Sequence, residues 1–240
     1  MKLDQIYLIN LERSKDRLEH FMNEVEKHQI DKSKLTIFKA IDAKTHEFTK
    51  EEEELLSNNN NLKTVKCNFL SHYYCWKDSI EKGYNYTLIV QDDVYFVNNI
   101  CKKLDDIINH FPENAEIINI GLHKAGNGSL FIDFPIHEEY DRYYCKEMVN
   151  NYVCKWKDNI NPCSTSYIIN CKKAQSIFSK FKEITAEIDN FFNDYCNKRD
   201  IQYGSLDILA TGNSNFKSTV FEGPTFKDLL SLYQSYMQNI

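Results

Sequence analysis

The sequence predicts a single α/β domain, Rossmann-like in layout, with a mostly parallel central sheet and helices on both faces. Short apolar runs rich in Ile, Val and Leu occur at residues 5–11, 86–96 and 115–121, and such runs are typical of strands buried on both faces. Segments with helical periodicity separate these runs, so strands and helices alternate along the chain. The 240 residues suffice for one large domain with a substantial core.

The first third of the chain begins with a strand, a helix and a second strand. Ser14 is placed to cap the first helix, and Thr49 before three glutamates marks the start of an acidic helix. Gly83 ends a long helix whose aromatic residues recur at helical spacing. The predicted elements are strands at 5–11 and 34–40 and helices at 15–27, from 49 onward and at 65–82.

The remainder of the chain continues the alternation around an irregular middle segment. The predicted elements are a helix at 99–111, a strand at 115–121, loops with short antiparallel strands at 123–161, a strand at 165–170, helices at 172–181 and 188–198, a strand at 204–209 and a polar loop at 211–217. We expect residues 1–223 to form the domain and residues 224–240 to form an amphipathic C-terminal helix.

Two adjacent carboxylates, Asp92 and Asp93, interrupt the apolar run at 86–96. Ligands of α/β sheets gather at the carboxyl ends of strands, and hard carboxylate oxygens suit divalent cations. Because neighbouring strand residues point to opposite faces, we expect unequal roles, with Gln91 and Asp93 on one side facing the cleft. The alternative interpretation is an ordinary turn, in which aspartate is common.

Bulk composition excludes several classes of protein. A net charge of −6 and a pI near 5.7 argue against a general nucleic-acid binder. The eight cysteines include no Cys-x-x-Cys pair, which argues against structural zinc, and we expect them to be reduced and mostly buried. We find no signal peptide and no apolar stretch long enough to span a bilayer, which predicts a cytoplasmic location.

Three motifs occur in order along the chain: Ile6-Tyr-Leu-Ile-Asn-Leu-Glu-Arg13 with Asp16-Arg17, Cys67-Asn-Phe-Leu-Ser-His72 with Trp76, and Leu88-Ile-Val-Gln-Asp-Asp-Val94. Their order and spacing resemble glycosyltransferase family 25, the group of lipopolysaccharide and procollagen galactosyltransferases. Ser166-Tyr-Ile-Ile-Asn170 with Ala174, followed by Ile188-Asp189, extends the resemblance, which covers about residues 5 to 220. The chain departs from the family at Gln91, where a glutamate usually precedes the two aspartates.

The resemblance implies a GT-A architecture and a nucleotide-sugar donor, for which we expect a UDP-hexose. It further implies transfer of galactose or glucose, with inversion, to a glycan or a hydroxylated side chain. A divalent metal, Mn²⁺ before Mg²⁺, would neutralise the diphosphate leaving group. We predict Asp93 as the metal ligand and Asp92 as its supporting residue.

The predicted donor-binding residues lie at strand ends and in the motifs. They are Asn10, Leu11, Arg13, Arg17, Asp42, Ser71, His72, Gln91 and Asp92. The two arginines suit phosphate or carboxylate, the alternative being surface pairing with nearby acidic residues. Asp42 has the alternative of a turn residue, and His72 that of a structural histidine bonded to backbone.

Asp189 is the predicted general base that takes the proton of the acceptor hydroxyl. Its apolar neighbours Ile188 and Phe191 favour a desolvated carboxylate with a raised pKa. The alternative is an N-cap of the following helix. Glu187 and Asp194 are the substitutes.

Two other functions fit parts of this pattern. A nucleotidyltransferase also uses carboxylates at a strand end, but no Gly-rich phosphate loop occurs early in the chain. A catalytically weak or inactive GT-A-like module that binds a glycan or a protein is the alternative suggested by Gln91.

Overall fold

A computed structural model describes residues 1–56, 61–122, 145–157, 164–174, 187–192, 202–212 and 216 of the chain. The strands in these ranges are β1 (Gln5–Asn10), β2 (Leu35–Lys39), β3 (Tyr86–Gln91), β4 (Val94–Phe96), β5 (Ile117–Asn119), β6 (Gly121–Leu122), β7 (Cys145–Met148), β8 (Val153–Trp156), β9 (Ser166–Asn170), β10 (Gln202–Ser205) and β11 (Ala210–Gly212). The helices are α1 (Lys15–Lys27), α2 (Lys50–Leu55), α3 (Lys63–Glu81), α4 (Ile100–Asn109) and α5 (Ile188–Phe191), with a 3-10 turn at Lys32–Lys34.

The central sheet has eight strands in the order β2-β1-β3-β9-β5-β10-β8-β7. The pairing pattern makes six of these eight strands run in one direction, with β9 and β8 reversed. The predicted α/β class with a mostly parallel sheet is therefore confirmed. The sequence could not indicate that β9 runs antiparallel between β3 and β5, because a strand buried on both faces has the same pattern in either direction.

Alternation along β1 and β3 divides the core into two clusters, one on each face of the sheet. Even-numbered residues such as Leu8 and Val90 pack in the cluster that contains Phe21 of α1. Odd-numbered residues such as Ile9 and Ile89 pack in the cluster that contains Trp76 of α3. Since neighbouring strand residues point to opposite faces, α1 and α3 cover opposite sides of the sheet, as predicted.

A second sheet, in the order β4-β11-β6, begins where β3 ends. The run at 86–96 is therefore two strands, separated by a turn at Asp92 and Asp93. β11 pairs with β4 and with β6 and occupies the start of the segment predicted as a polar loop, so that prediction is wrong at residues 211 and 212. Its pairing partners on both sides override its weak local pattern.

Most helix predictions in the described ranges are confirmed. Thr49 and Glu52 form the predicted capping box at the start of α2, whereas Ser14 takes the N-cap position of α1 without a side-chain capping bond. β7 and β8 are the antiparallel strands predicted in the middle segment. The predicted helix at 172–181 from residue 175, the helix at 188–198 from residue 193, and the helix at 224–240 lie outside the described residues.

Two further sequence predictions concern cysteines and membrane spans. Among the described residues the cysteines are free thiols, and Cys67, Cys75, Cys154 and Cys171 are buried. Within the described part of the chain, no helix combines the length and the apolarity needed to cross a bilayer.

Gly204 on β10 allows an aromatic ring to lie close against the backbone of the sheet. A Cβ atom at this position would overlap the indole of Trp156 on the neighbouring strand β8. We therefore expect Gly204→Ala to lower the free energy of unfolding by about 1–3 kcal/mol, the usual cost of overpacking. Urea unfolding measures this loss, and Met148→Ala, an exposed change on β7, should stay within about 0.5 kcal/mol. Equal stability of Gly204→Ala and the unchanged protein would contradict the close packing.

Candidate active site

The predicted site residues that lie at strand ends gather at the carboxyl edge of β2, β1 and β3. Asn10 ends β1, Gln91 ends β3, and Asp42 follows β2. β1 pairs with both of its neighbours in parallel register, so the three carboxyl ends meet at one edge. This is the edge at which α/β sheets bind ligands.

Asp92 is a buried carboxylate held by two donors. Asn10 Nδ2 donates to its Oδ2 at 2.7 Å, and Arg17 Nη1 donates to its Oδ1 at 2.8 Å. Burial raises the pKa of the Asp92 carboxyl above its ordinary value, and the Arg17 charge opposes that rise. Both oxygens of Asp92 are thus bonded within the protein, which fits the supporting role predicted for it.

Asp93 has one oxygen paired and one without a hydrogen-bond partner. Its Oδ2 lies 3.3 Å from Arg17 Nη1, whereas its Oδ1 is buried and accepts no hydrogen bond from the described residues. One guanidinium therefore serves two carboxylates, and the turn keeps an excess negative charge next to an unbonded carboxylate oxygen. That is the electrostatic setting in which a divalent cation is favoured.

Of the two carboxylates at the turn, Asp93 is the one with an oxygen that could contact a metal, its Oδ1. No group of three or more His, Cys, Asp or Glu side chains is placed to hold a metal within the described ranges. Asp93 would therefore supply a single carboxylate. Donor phosphate oxygens and water would have to complete the coordination, as is common for cations that bind with a nucleotide.

Arg17 points into the protein rather than toward solvent. Its side chain is 8% exposed, its Nη1 bonds to both aspartates, and its guanidinium lies 5.0 Å from the centroid of the Phe216 ring. The alternative prediction for Arg17 was an ion pair on the surface with a nearby acidic residue. Its buried ion pairs with Asp92 and Asp93 differ from that alternative. Arg17 acts here as the counter-ion of the carboxylate turn.

Two residues that sequence analysis missed also hold the strand after the turn. His20 Nε2 lies 2.8 Å from the Val94 carbonyl oxygen, and Glu24 Oε2 accepts the Phe96 backbone N–H at 2.8 Å. Together with Arg17 they occupy positions i, i+3 and i+7 of α1, one face of the helix. The polar residues at this helical spacing on α1 are the sequence signal that could have indicated His20 and Glu24.

Arg13 and Asp42, two predicted donor-binding residues, contact each other. Arg13 Nε lies 3.3 Å from Asp42 Oδ2, and both side chains are partly exposed. Asp42 Oδ1 also accepts the Lys44 backbone N–H at 3.0 Å, so Asp42 is a turn residue as well. Leu11 follows β1, and its carbonyl oxygen accepts the Ser14 N–H.

Ser71 and His72, two of the predicted donor-binding residues, are buried in the protein and not exposed to solvent. Ser71 Oγ accepts the Ile41 N–H at 2.9 Å and donates to the Cys67 carbonyl at 2.8 Å. The His72 ring is fully buried, and burial lowers its pKa to about 3, so it is neutral. Both residues belong to the buried part of α3.

Gln91 and Asp93 lie on different sides of the sheet, in contrast to the predicted shared face. Gln91 Nε2 contacts His72 Nε2 at 3.2 Å on the α3 side, whereas Asp93 contacts Arg17 on the α1 side. The turn breaks the strand alternation between these positions, because the backbone at Asp92 and Asp93 is not extended. The alternative interpretation of the pair as a turn is correct for the backbone.

Asp189 lies in the first turn of α5, and its Oδ1 accepts the Ser164 backbone N–H at 2.9 Å. The N-cap of this helix is Glu187, so the alternative role of Asp189 as N-cap is wrong. Burial, with Asp189 nearby, raises the pKa of the Glu187 carboxyl. Asp194 lies outside the described residues.

The fold and the site define an α/β protein with a buried carboxylate turn at the carboxyl edge of parallel strands. Residues 3–192 match the family model described as Glycosyltransferase family 25 (LPS biosynthesis protein). The chain therefore belongs to glycosyltransferase family 25, as its motifs predict.

Individual relatives match parts of the chain. Procollagen galactosyltransferase 2 of Homo sapiens is 30% identical over 135 residues, and that of Mus musculus is 28% identical over 135 residues. Each match covers 50% of this chain and 21% of the relative, so the match spans about a fifth of the length of these proteins. Among solved structures, the apo form of mouse xyloside xylosyltransferase 1 has a TM-score of 0.40 and 12% identity, over 82% of this chain and 69% of that one.

Proposed function

We propose that this chain is a metal-assisted glycosyltransferase that moves a hexose from a nucleotide diphosphate sugar to an acceptor hydroxyl, with inversion. Galactose or glucose from a UDP-sugar is the proposed donor group, and a glycan or a hydroxylated side chain is the proposed acceptor. The observation that carries this proposal is the carboxylate turn of a family 25 chain, in which Asp93 Oδ1 is buried and unbonded.

The residues at the turn have different proposed roles in donor binding. A divalent cation, when bound, would neutralise charge that develops on the departing nucleoside diphosphate. Asp93 would hold that ion through Oδ1, while the charge of Arg17 offsets the repulsion between the two carboxylates. Asn10 fixes Asp92 and ties the end of β1 to the turn.

The Arg13 and Asp42 pair borders the same edge and is the proposed contact for the base or ribose of the donor. A partly exposed guanidinium can bond to hydroxyl or phosphate oxygens of a ligand without losing its carboxylate partner, since it carries five N–H donors. Asp189 is the proposed base, which removes the proton of the acceptor hydroxyl as that oxygen attacks the anomeric carbon.

The inactive-module alternative depends on Gln91, which lacks the charge usual in the family. The Gln91 amide contacts His72 and Ser164 instead of Asp93. The missing charge therefore lies on the other side of the sheet from the side chain of the proposed metal ligand, and this geometry favours the catalytic proposal over the inactive one.

Thermal unfolding with candidate donors tests the proposal. We expect UDP-galactose or UDP-glucose with Mn²⁺ to raise the Tm, since a ligand at a hundred times its Kd stabilises by about 2.7 kcal/mol. GDP-mannose is the matched control for the base, and the same UDP-sugar with excess chelator is the control for the metal. UDP release from the sugar, with lactose or a peptide carrying a hydroxylated lysine as acceptor, then measures turnover.

Three outcomes distinguish the alternatives. A Tm rise that needs Mn²⁺, together with UDP release, supports the proposed enzyme. A rise without any turnover favours the inactive module. No donor-dependent rise with any nucleotide sugar would contradict donor binding and the proposal with it.

A further inference from the structure

A continuous series of polar contacts runs through the α3 side of the sheet and ends at Asp189. Trp76 Nε1 donates to Tyr167 Oη at 2.7 Å, and Tyr167 Oη lies 2.8 Å from His72 Nδ1. Three further contacts complete the series: His72 Nε2 to Gln91 Nε2 at 3.2 Å, Gln91 Nε2 to Ser164 Oγ at 3.3 Å, and the Ser164 backbone N–H to Asp189 Oδ1 at 2.9 Å.

The chemistry of Gln91 determines where the protons of this series lie. An amide nitrogen only donates, so His72 Nε2 must accept from Gln91, and the imidazole proton then lies on Nδ1. From Nδ1 it is donated to Tyr167 Oη, which also accepts from Trp76. The neutral state of the buried His72 ring is consistent with this assignment.

The amide of Gln91 can donate hydrogen bonds to both His72 and Ser164. The two N–H bonds of the Gln91 amide can serve His72 Nε2 and Ser164 Oγ together. A carboxylate of the same shape has no proton to donate, so both contacts would have to reverse. His72 would need its proton on Nε2, which removes the N–H that Nδ1 donates to Tyr167, and the Ser164 hydroxyl would have to donate its own proton. Gln91, which replaces the glutamate usual in the family, therefore suits its contacts with His72 and Ser164.

The segment that contains Ser164 is bonded to the end of β3 by backbone as well as by side chain. The Gln91 N–H donates to the Thr165 carbonyl at 2.8 Å, next to the side-chain contact with Ser164. Ser164 is itself buried, as is Tyr167 on β9. Buried polar groups that are fully bonded fix a single local geometry, because any displacement leaves one of them unsatisfied.

We propose that Gln91 and Ser164 are positioning residues for Asp189, so that the end of the carboxylate strand fixes the orientation of the proposed base. The Ser164 N–H holds Asp189 Oδ1, and Gln91 holds Ser164 against the neutral His72. This inference rests on the proposed function, because it assigns Asp189 the proton transfer. A base displaced by a fraction of an ångström loses rate without loss of donor affinity.

A double-mutant cycle between position 91 and Asp189 tests the inference. We expect Gln91→Glu to lower kcat about tenfold while the donor KM stays within about twofold, since the base is misplaced and the donor contacts remain. In an Asp189→Asn background, the same change should lower kcat by less than about twofold, because residues that act through one another are not additive. Independent, multiplicative losses would overturn the positioning role.

Two further variants serve as a second test and as a control for the double-mutant cycle. Ser164→Ala removes the Oγ contact without adding charge and keeps the backbone N–H, so it should show the same dependence on Asp189 if Gln91→Glu does not fold. Gln5→Glu is the matched control, a buried amide on β1 that bonds to the Lys34 carbonyl and to Thr36 Oγ1. Gln5→Glu should lower the free energy of unfolding. Any decrease in kcat that it causes should be the same with Asp189 as in the Asp189→Asn background.

Donor-dependent thermal stabilisation by UDP-galactose or UDP-glucose, measured on every variant, separates the two possible failures. If the unchanged protein shows no donor stabilisation, the proposed function fails and the inference falls with it. If donor binding and transfer occur but the cycle is additive for both Gln91→Glu and Ser164→Ala, the positioning role alone is refuted.

Discussion

Asp93→Asn should reduce transfer by about 10² to 10³, the usual loss when a preorganised charge at a reacting group is removed. Asp93 is a turn residue whose side chain contacts Arg17 at one oxygen, and Asn has nearly the same shape, so we expect the fold to survive. Arg17 would keep its closer partner Asp92 at 2.8 Å. The measurements are kcat/KM for UDP release and the Tm without metal.

Asp78→Asn provides the comparison for this experiment. Asp78 is a partly exposed carboxylate on α3 that bonds to Lys82 at 2.8 Å and to the Tyr7 hydroxyl. The substitution removes the same charge on the α3 side of the sheet, opposite the side on which Asp93 contacts Arg17. The activity of this variant should stay within about twofold because surface pairs contribute little. If Asp93→Asn retains turnover within about tenfold, roughly 1.4 kcal/mol in barrier, Asp93 is not the metal ligand.

Local pattern explains why the strands and most helices could be predicted. β1 and β3 are short apolar runs. Successive residues of each strand pack in the two core clusters on opposite faces of the sheet, so the apolar run itself indicates a strand that is buried on both faces. The capping box of Thr49 and Glu52 likewise lies within four consecutive residues. Where the physical cause is contained in a few adjacent residues, the sequence suffices.

The site could be located from the sequence, but its pairings could not. Asp92 and Asp93 were expected at a strand end, where they are, yet their partner Arg17 lies 75 residues from Asp92 along the chain. From the sequence, the turn between β3 and β4 was only the alternative interpretation of the aspartate pair, since apolar residues flank the aspartates on both sides. That turn is what separates Gln91 from Asp93 and directs Gln91 toward His72.

A similar argument applies to Ser71 and His72. Their motif predicted donor-binding residues, and His72 does contact Gln91 at the end of the carboxylate strand through its ring. The direction of each side chain depends on how α3 is rotated against the sheet, which is decided by packing of residues such as Phe69 and Trp76. Helical spacing defines the faces of α3 but not which neighbours each face meets.

Asp189→Asn should lower transfer by about 10² or more, the usual contribution of general-base catalysis, with donor affinity nearly unchanged. The Asn side chain keeps an Oδ1 that can accept the Ser164 N–H, so the substitution leaves that bond and the start of α5 in place. It removes the negative charge of the carboxylate and with it the ability to take a proton. The readouts are kcat for UDP release and the Tm shift produced by the UDP-sugar.

Glu187→Gln is the variant against which Asp189→Asn must be judged, because Glu187 is the nearby carboxyl and the N-cap residue of the same helix. Its side chain accepts a hydrogen bond from Asn190 at 2.8 Å, a bond that a glutamine oxygen can also accept. If Asp189 is the base, Glu187→Gln should change the transfer rate by less than about threefold, which is small against the 10² expected of a lost base. The opposite ranking, with a donor-binding Asp189→Asn protein that transfers normally and a Glu187→Gln protein that does not, would assign the proton transfer to Glu187.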